Sequence, residues 1–200
     1  MYPLFAIFVV FCIWLKIELN KESRQAEKDK NKLLELESEA NSTRKQSIDN
    51  LDYITISEKS IPINEINDDE LKKIQQELLN YSNKRILNLS HLSNTDLKRK
   101  YGPANLPLLT EYDQNFMELV RLLHKYASTL NEKGYKNEAV SVLEYSIDIG
   151  SDMSTSFKLL ADLYIETNQI SKITDLLYKA EKVNFLLRKS IIAYLQECID

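Results

Sequence analysis

Glycine, proline and cysteine are scarce: three, four and two residues in a chain of 200. A many-turned β fold uses glycine and proline at its hairpins, so their shortage argues against one. Leu, Lys, Glu, Asn and Ile dominate instead, and with an apolar fraction of 44% the composition is that of an all-α protein with one core. Cys12, inside an apolar run, and Cys198, near the C-terminus, are too few to staple a scaffold or to build a metal cluster. No oxidising compartment is required. The formal charge is −4 with both signs interspersed, and without a basic field nucleic-acid binding is disfavoured.

Catalytic signatures are also missing. The chain has no glycine-rich phosphate loop, no Gly-x-Ser-x-Gly, no His-Glu-x-x-His and no Cys-x-x-Cys. His91 sits in the turn-like "LSHLSN" with no ligand at helical spacing, and His124 lies on a helix beside Lys125. Asp68, Asp69 and Glu70 form an acidic cluster of the kind favoured in a helix's first turn by the macrodipole. Cys198 reads as a small apolar side chain, since no histidine stands near it in sequence. The expectation is a non-enzyme with no catalytic residue, no metal, no cofactor and no small-molecule substrate.

What is present begins at the N-terminus. "MYPLFAIFVVFCIWLKI" is apolar from Tyr2 to Leu15 and reaches Ile17 if Lys16 snorkels, close to the lower limit of about 17 residues for a membrane span. A cleaved signal peptide would carry basic residues before the run and a small-x-small site behind it, and neither is there. Residues 1–17 therefore read as a retained single-pass anchor. Lys16, Lys21, Arg24, Lys28, Lys30 and Lys32 all follow it, which puts the body on the cytoplasmic side of a plasma membrane by the positive-inside rule. The weight of Lys, Asn and Ile points to an AT-rich, bacterial coding sequence.

Residues 18–60 read as a charged stalk, either a solvated helix or disordered, because eight basic and eight acidic residues crowd positions 16–50. "YITIS" (53–57) and "IPINEI" (61–66) read as extended, with Pro62 holding Ile61 out of helix. Residues 61–118 form the first part of a helical body. A helix capped by Asp68 or Asn67 runs to about Asn88; a Ser93-x-x-Asp96 cap opens a short one that Gly102 and Pro103 stop; a connector then leads to Thr110.

Residues 119–200 echo themselves at thirty-four residues. Leu123, Tyr126, Ala127, Leu130, Lys136, Ala139, Leu143 and Ser146 answer Phe157, Leu160, Ala161, Tyr164, Ile170, Ile173, Leu177 and Ala180. Small residues recur where helices approach closely. In this the chain resembles the tetratricopeptide repeat (TPR) family, whose period is 34 residues. Leu160, Ala161, Tyr164 and Ala180 match its pattern in the second unit; Ala127, Gly134, Glu138 and Ala139 match in the first. Ile173 and Ser146 stand where the family usually has alanine, and Ser151 and Phe185 where it has proline. A last helix, Leu186 to Ile199, follows in the phase of a third unit and caps the array.

The resemblance implies antiparallel helix pairs whose first helices line a groove. The outward residues of those helices are Arg121, His124, Lys125 and Ser128, then Lys158, Asp162 and Glu166, then Lys189 and Gln196. Their cations suit a protein or peptide partner with an acidic portion. Chaperone-tail binding is not expected, because Ser128, Leu159 and Asp162 do not supply the asparagines that the family's clamp requires. The expected function is a membrane-anchored, cytoplasm-facing scaffold. The alternatives are a structural protein that self-associates through anchor or stalk, and a regulatory subunit of a membrane enzyme.

Overall fold

A computed structural model describes residues 2–56, 61, 68–183 and 187–199, with side chains from Ile7 onward, and among these every regular element is helical. The helices are α1 (Tyr2–Ser42), α2 (Asp69–Asn80), α3 (Asn94–Tyr101), α4 (Leu106–Glu132), α5 (Lys136–Asp148), α6 (Ser154–Glu166), α7 (Ser171–Lys182) and α8 (Arg188–Glu197). Most of "IPINEI" lies outside the described residues, as does Leu186. The chain divides into two compact units, residues 1–48 with 93–106, and residues 49–92 with 107–200.

In the first unit, α1 continues from the apolar run straight through the charged stretch, so the stalk is helical as far as Ser42. Between Lys16 and Ser42 there is no glycine or proline, and Glu, Lys, Gln, Leu and Ala are good helix formers. Pairs one turn apart, Gln25 Nε2 to Asp29 Oδ1 at 3.0 Å and Lys21 Nζ to Glu18 Oε1 at 3.7 Å, add modest support. Among the described residues no helix is long and apolar enough to cross a membrane.

The C-terminal end of α1 packs against α3. Thr95 Oγ1 donates to Glu37 Oε2 at 2.7 Å and Lys98 pairs with the same carboxylate, which holds the Glu37 carboxyl below its ordinary range. Ser93 and Asp96 complete the expected capping box, and Ala40, Ile48, Leu97 and Tyr101 are buried. Gly102 has φ 85°, and a Cβ there would meet Arg44 O and Lys45 Cα at 2.8 Å, so the chain crosses itself where only glycine fits.

In the second unit α2 runs antiparallel along α4. Lys133 Nζ lies 2.7 Å from Asp68 Oδ2, Gln75 Nε2 donates to Tyr126 OH at 2.8 Å, and Tyr81 OH donates to Glu118 Oε2 at 2.8 Å. Asp68 is the N-cap, accepting from the N–H groups of Glu70 and Leu71. The periodicity carries this helix to Asn88, but it stops at Asn80. Asn80, Ser82 and Asn83 are of residue types that favour turns over helix interiors, and Ser82 Oγ donates to Leu79 O at 2.6 Å. After a 3₁₀ turn the chain is extended, with Ile54 N donating to Ile86 O at 3.0 Å and Leu87 N to Tyr112 O at 3.2 Å, and Ile86 and Leu87 go into the core.

The expected connector to Thr110 is not a connector, since α4 starts at Leu106. Pro107 falls in its first turn, where no intrahelical N–H bond is needed, so proline there starts the helix. Leu109, Tyr112 and Phe116 are accordingly buried helical residues.

Three helix ends close alike. Gly134, Gly150 and Asn168 have positive φ, and the next N–H reaches back to Leu130, Ser146 and Tyr164 O at 2.9, 3.0 and 2.7 Å. These turns reverse the chain, and α5 packs on α6, α6 on α7 and α8, and α7 on α8. Ala127, Ala139, Ala161 and Ala180 are all fully buried in one core with Phe116, Tyr126, Phe157, Leu160, Ile173 and Ile191.

Candidate functional site

The end of α2 and the middle of α4 leave an open cleft of about 470 Å³, lined by Glu77, Asn80, Tyr81, Lys84, Glu118, Arg121, Leu122 and Lys125. It exists because α2 stops early: the 3₁₀ turn carries Tyr81 across to Glu118 and leaves Lys84 over the Tyr81 ring, 4.2 Å from its centre. Burial and the Glu118 carboxylate push the Tyr81 hydroxyl up to about 12, so it is a donor near neutral pH and not a base. Arg121 and Lys125 are exposed and hold no ion pair within the described residues. Three cations, an aromatic face and Leu122 against two carboxylates, one of them occupied by Tyr81, leave the cleft open to an anionic side chain.

The other expected groove residues fall into different settings. His124 is half-buried, its Nδ1 3.1 Å from Ser156 Oγ on α6, and burial lowers its pKa. Ser156 is fully buried, so this pair joins two helices and offers no nucleophile to a substrate. Ser128 is partly buried. Asp162 accepts from Tyr194 OH on α8, and Lys158 lies over the same ring at 5.3 Å. Glu166 pairs with Lys136 at 3.0 Å, and Lys189 stands exposed in the first turn of α8. Of the expected set, the cleft gathers Arg121 and Lys125.

A smaller hollow, about 210 Å³, lies among α5, α6 and α7 and is lined by Glu144, Asp148, Tyr164, Lys172, Asp175 and Lys179 with apolar neighbours. Its polar groups are committed to each other. Tyr164 OH donates to Glu144 Oε1 at 2.9 Å, Lys172 Nζ lies 2.8 Å from the same oxygen, and Lys179 pairs with Asp148. The two ion pairs advance together along α5 and α7, which makes those helices parallel. This hollow is a clamp between α5 and α7.

Among the described residues no group of three His, Cys, Asp or Glu is placed to hold a metal. Cys198 is partly buried against the core, and desolvation raises its thiol pKa. Sequence reasoning missed Tyr81 and Lys84, because a helix drawn to Asn88 carries them past the cleft; the signal available was the run Asn80-Tyr81-Ser82-Asn83. No protein-family model, curated protein or solved structure matches the chain.

Proposed function

We propose that the chain is a membrane-attached, TPR-like helical scaffold that holds an acidic protein segment in the α2–α4 cleft and catalyses nothing. The observation that carries the reading is the convergence of Lys84, Arg121 and Lys125 on one open cleft with an aromatic wall. A short extended or helical peptide fits such a surface through one or two carboxylates and an apolar contact with Leu122.

Repeat character is supported by the left-handed residues Gly134 and Asn168 at equivalent places, by the buried alanines and by the parallel course of α5 and α7. Attachment is supported by Ile7, Phe8, Val10, Phe11, Ile13, Trp14 and Ile17, each more than half exposed along α1. Such a surface seeks an apolar phase, and the cations that follow favour a cytoplasmic body. Tethering raises the local concentration of whatever the cleft holds.

The test is crosslinking in intact membranes from a photoreactive residue at Leu122. A product that disappears with Arg121→Glu and Lys125→Glu, and survives Lys172→Glu in the clamp, supports the cleft. A product indifferent to Arg121 and Lys125 contradicts it.

A further inference from the structure

The charges of α1 between Glu18 and Lys32 are sorted by face. Lys21, Arg24, Lys28 and Lys32 recur at steps of three or four residues and make one stripe. Glu18, Glu22 and Asp29 recur at steps of four and seven and make a second, roughly 100° round the helix from the first at 3.6 residues per turn. A shallow hollow along the basic side is lined by Ile17, Asn20, Lys21, Arg24, Gln25 and Lys28 together, and the Lys21–Glu18 contact at 3.7 Å shows that the two stripes adjoin. Both face solvent, Glu18 only partly, and Arg24, Lys28 and Lys32 hold no ion pair within the described residues. The stripes stop at Lys32, about one turn before Glu37, where Thr95 and Lys98 of α3 occupy the helix surface.

We propose that α1 pairs with the α1 of a second copy of this chain, parallel and in register, along the line between the stripes. The charge layout selects this arrangement. In a parallel two-fold pair each copy's basic flank meets the partner's acidic flank, so attraction occurs on both sides of the seam. In an antiparallel pair basic meets basic and acidic meets acidic. Parallel and in register, Lys21 comes beside Glu22, and Lys28 and Lys32 beside Asp29. Ile7, Trp14 and Gln25 lie on the seam, while Glu27 and Lys30 lie on the far side. An anionic bilayer is the competing occupant of the basic stripe, but Glu18, Glu22, Glu27 and Asp29 nearly cancel the cations of the same stretch.

The seam between the stripes is polar, so the strength of the pairing, though not its geometry, rests on the membrane attachment proposed above, which confines two chains to one surface. The experiment uses the full chain with Cys12→Ser and Cys198→Ala, reconstituted in phosphatidylcholine vesicles and treated with a mild oxidant. Gln25→Cys is expected to form a disulfide-linked dimer about tenfold faster than Glu27→Cys, as an ordered seam requires. Lys21→Glu with Lys28→Glu abolishes the difference, and adding Glu22→Lys with Asp29→Lys to the same chain restores it. Equal rates at positions 25 and 27, or no restoration, overturns the proposal. So does a Lys21→Glu, Lys28→Glu chain that still crosslinks at position 25 but binds less to vesicles containing phosphatidylserine, because the stripe then reads lipid. Flotation with the neutral vesicles tests attachment separately; if the chain does not float, the same contrast between positions 25 and 27, measured at high concentration in solution, decides the pairing.

Discussion

Gly134 and Asn168 stand thirty-four residues apart and end their helices the same way. Their φ values are 87° and 56°, and the following N–H groups, on Tyr135 and Gln169, bond to Leu130 O and Tyr164 O at 2.9 and 2.7 Å. A Cβ at Gly134 meets nothing within 4 Å, so only the backbone angle restricts that position. Gly134→Ala is therefore expected to destabilise by about 1 kcal/mol, and Asn168→Ala by about 0.5 to 1 kcal/mol, since asparagine already bears part of the left-handed cost. Urea unfolding of both variants checks this. A negligible loss at Asn168 would break the equivalence of the two turns.

Gly102 has the same positive φ but none of the space. Its Cβ would strike Arg44 O and Lys45 Cα at 2.8 Å, both backbone atoms that cannot swing away. Gly102→Ala is expected to cost roughly 2 to 4 kcal/mol, at least twice the Gly134 value, and to release the contact of α3 with the end of α1. Hydrogen exchange at the Gln46 N–H, which donates to Tyr101 O at 3.0 Å, reports that release.

The buried alanines mark where helices come closest. Ala127 and Ala161 are fully inaccessible, and leucine at either site forces the surrounding helices apart at a cost of about 1 to 3 kcal/mol. At Ser128, one residue along and partly exposed, leucine should cost less than about 1 kcal/mol. Thermal unfolding of the three variants separates the packed face from its neighbour.

Part of this arrangement was legible because its signals are local. Ala127 and Ala161, the Asp68 cap and the Ser93–Asp96 box are local signals, and each acts where its residue type predicts. Two readings failed. The connector drawn to Thr110 is helical from Leu106, because proline in a first turn is compatible with a helix start. The apolar spacing through Ile86 and Leu87 looks helical, but those residues enter the core from an extended segment, as Asn80, Ser82 and Asn83 had weakened the helix before them. Asn168 hid because its left-handed role belongs more often to glycine. Of the residues lining the candidate cleft, Arg121 and Lys125 were named only through the resemblance, as groove residues, whereas Tyr81 and Lys84 depend on where α2 ends. Nothing local to Ser93–Gly102 says that α3 packs on α1.

His124 gives a pH dependence with a definite sign. Burial lowers its pKa below the ordinary 6.5, so on acidification the unfolded chain takes up the proton first. Its contribution to stability is complete above that value and is lost as pH falls from there toward the folded pKa. The lowered carboxylates Glu37, Asp68 and Asp96 lose theirs only at more acidic pH. Between about pH 7 and 5, wild type is expected to lose more stability than His124→Gln, read from urea midpoints. Parallel curves would mean that the imidazole is not held away from water between α4 and α6.

The central claim is that the α2–α4 cleft selects negative charge. The most direct measurement is binding of the full chain to a pool of acidic peptides and to the same peptides with Asp and Glu replaced by Asn and Gln. Acidic members should bind preferentially, weaken as salt rises, and lose to a Lys- and Arg-substituted pool when Arg121→Glu and Lys125→Glu are introduced together. Equal binding of the acidic and amidated pools, or a preference untouched by the two reversals, would contradict the account.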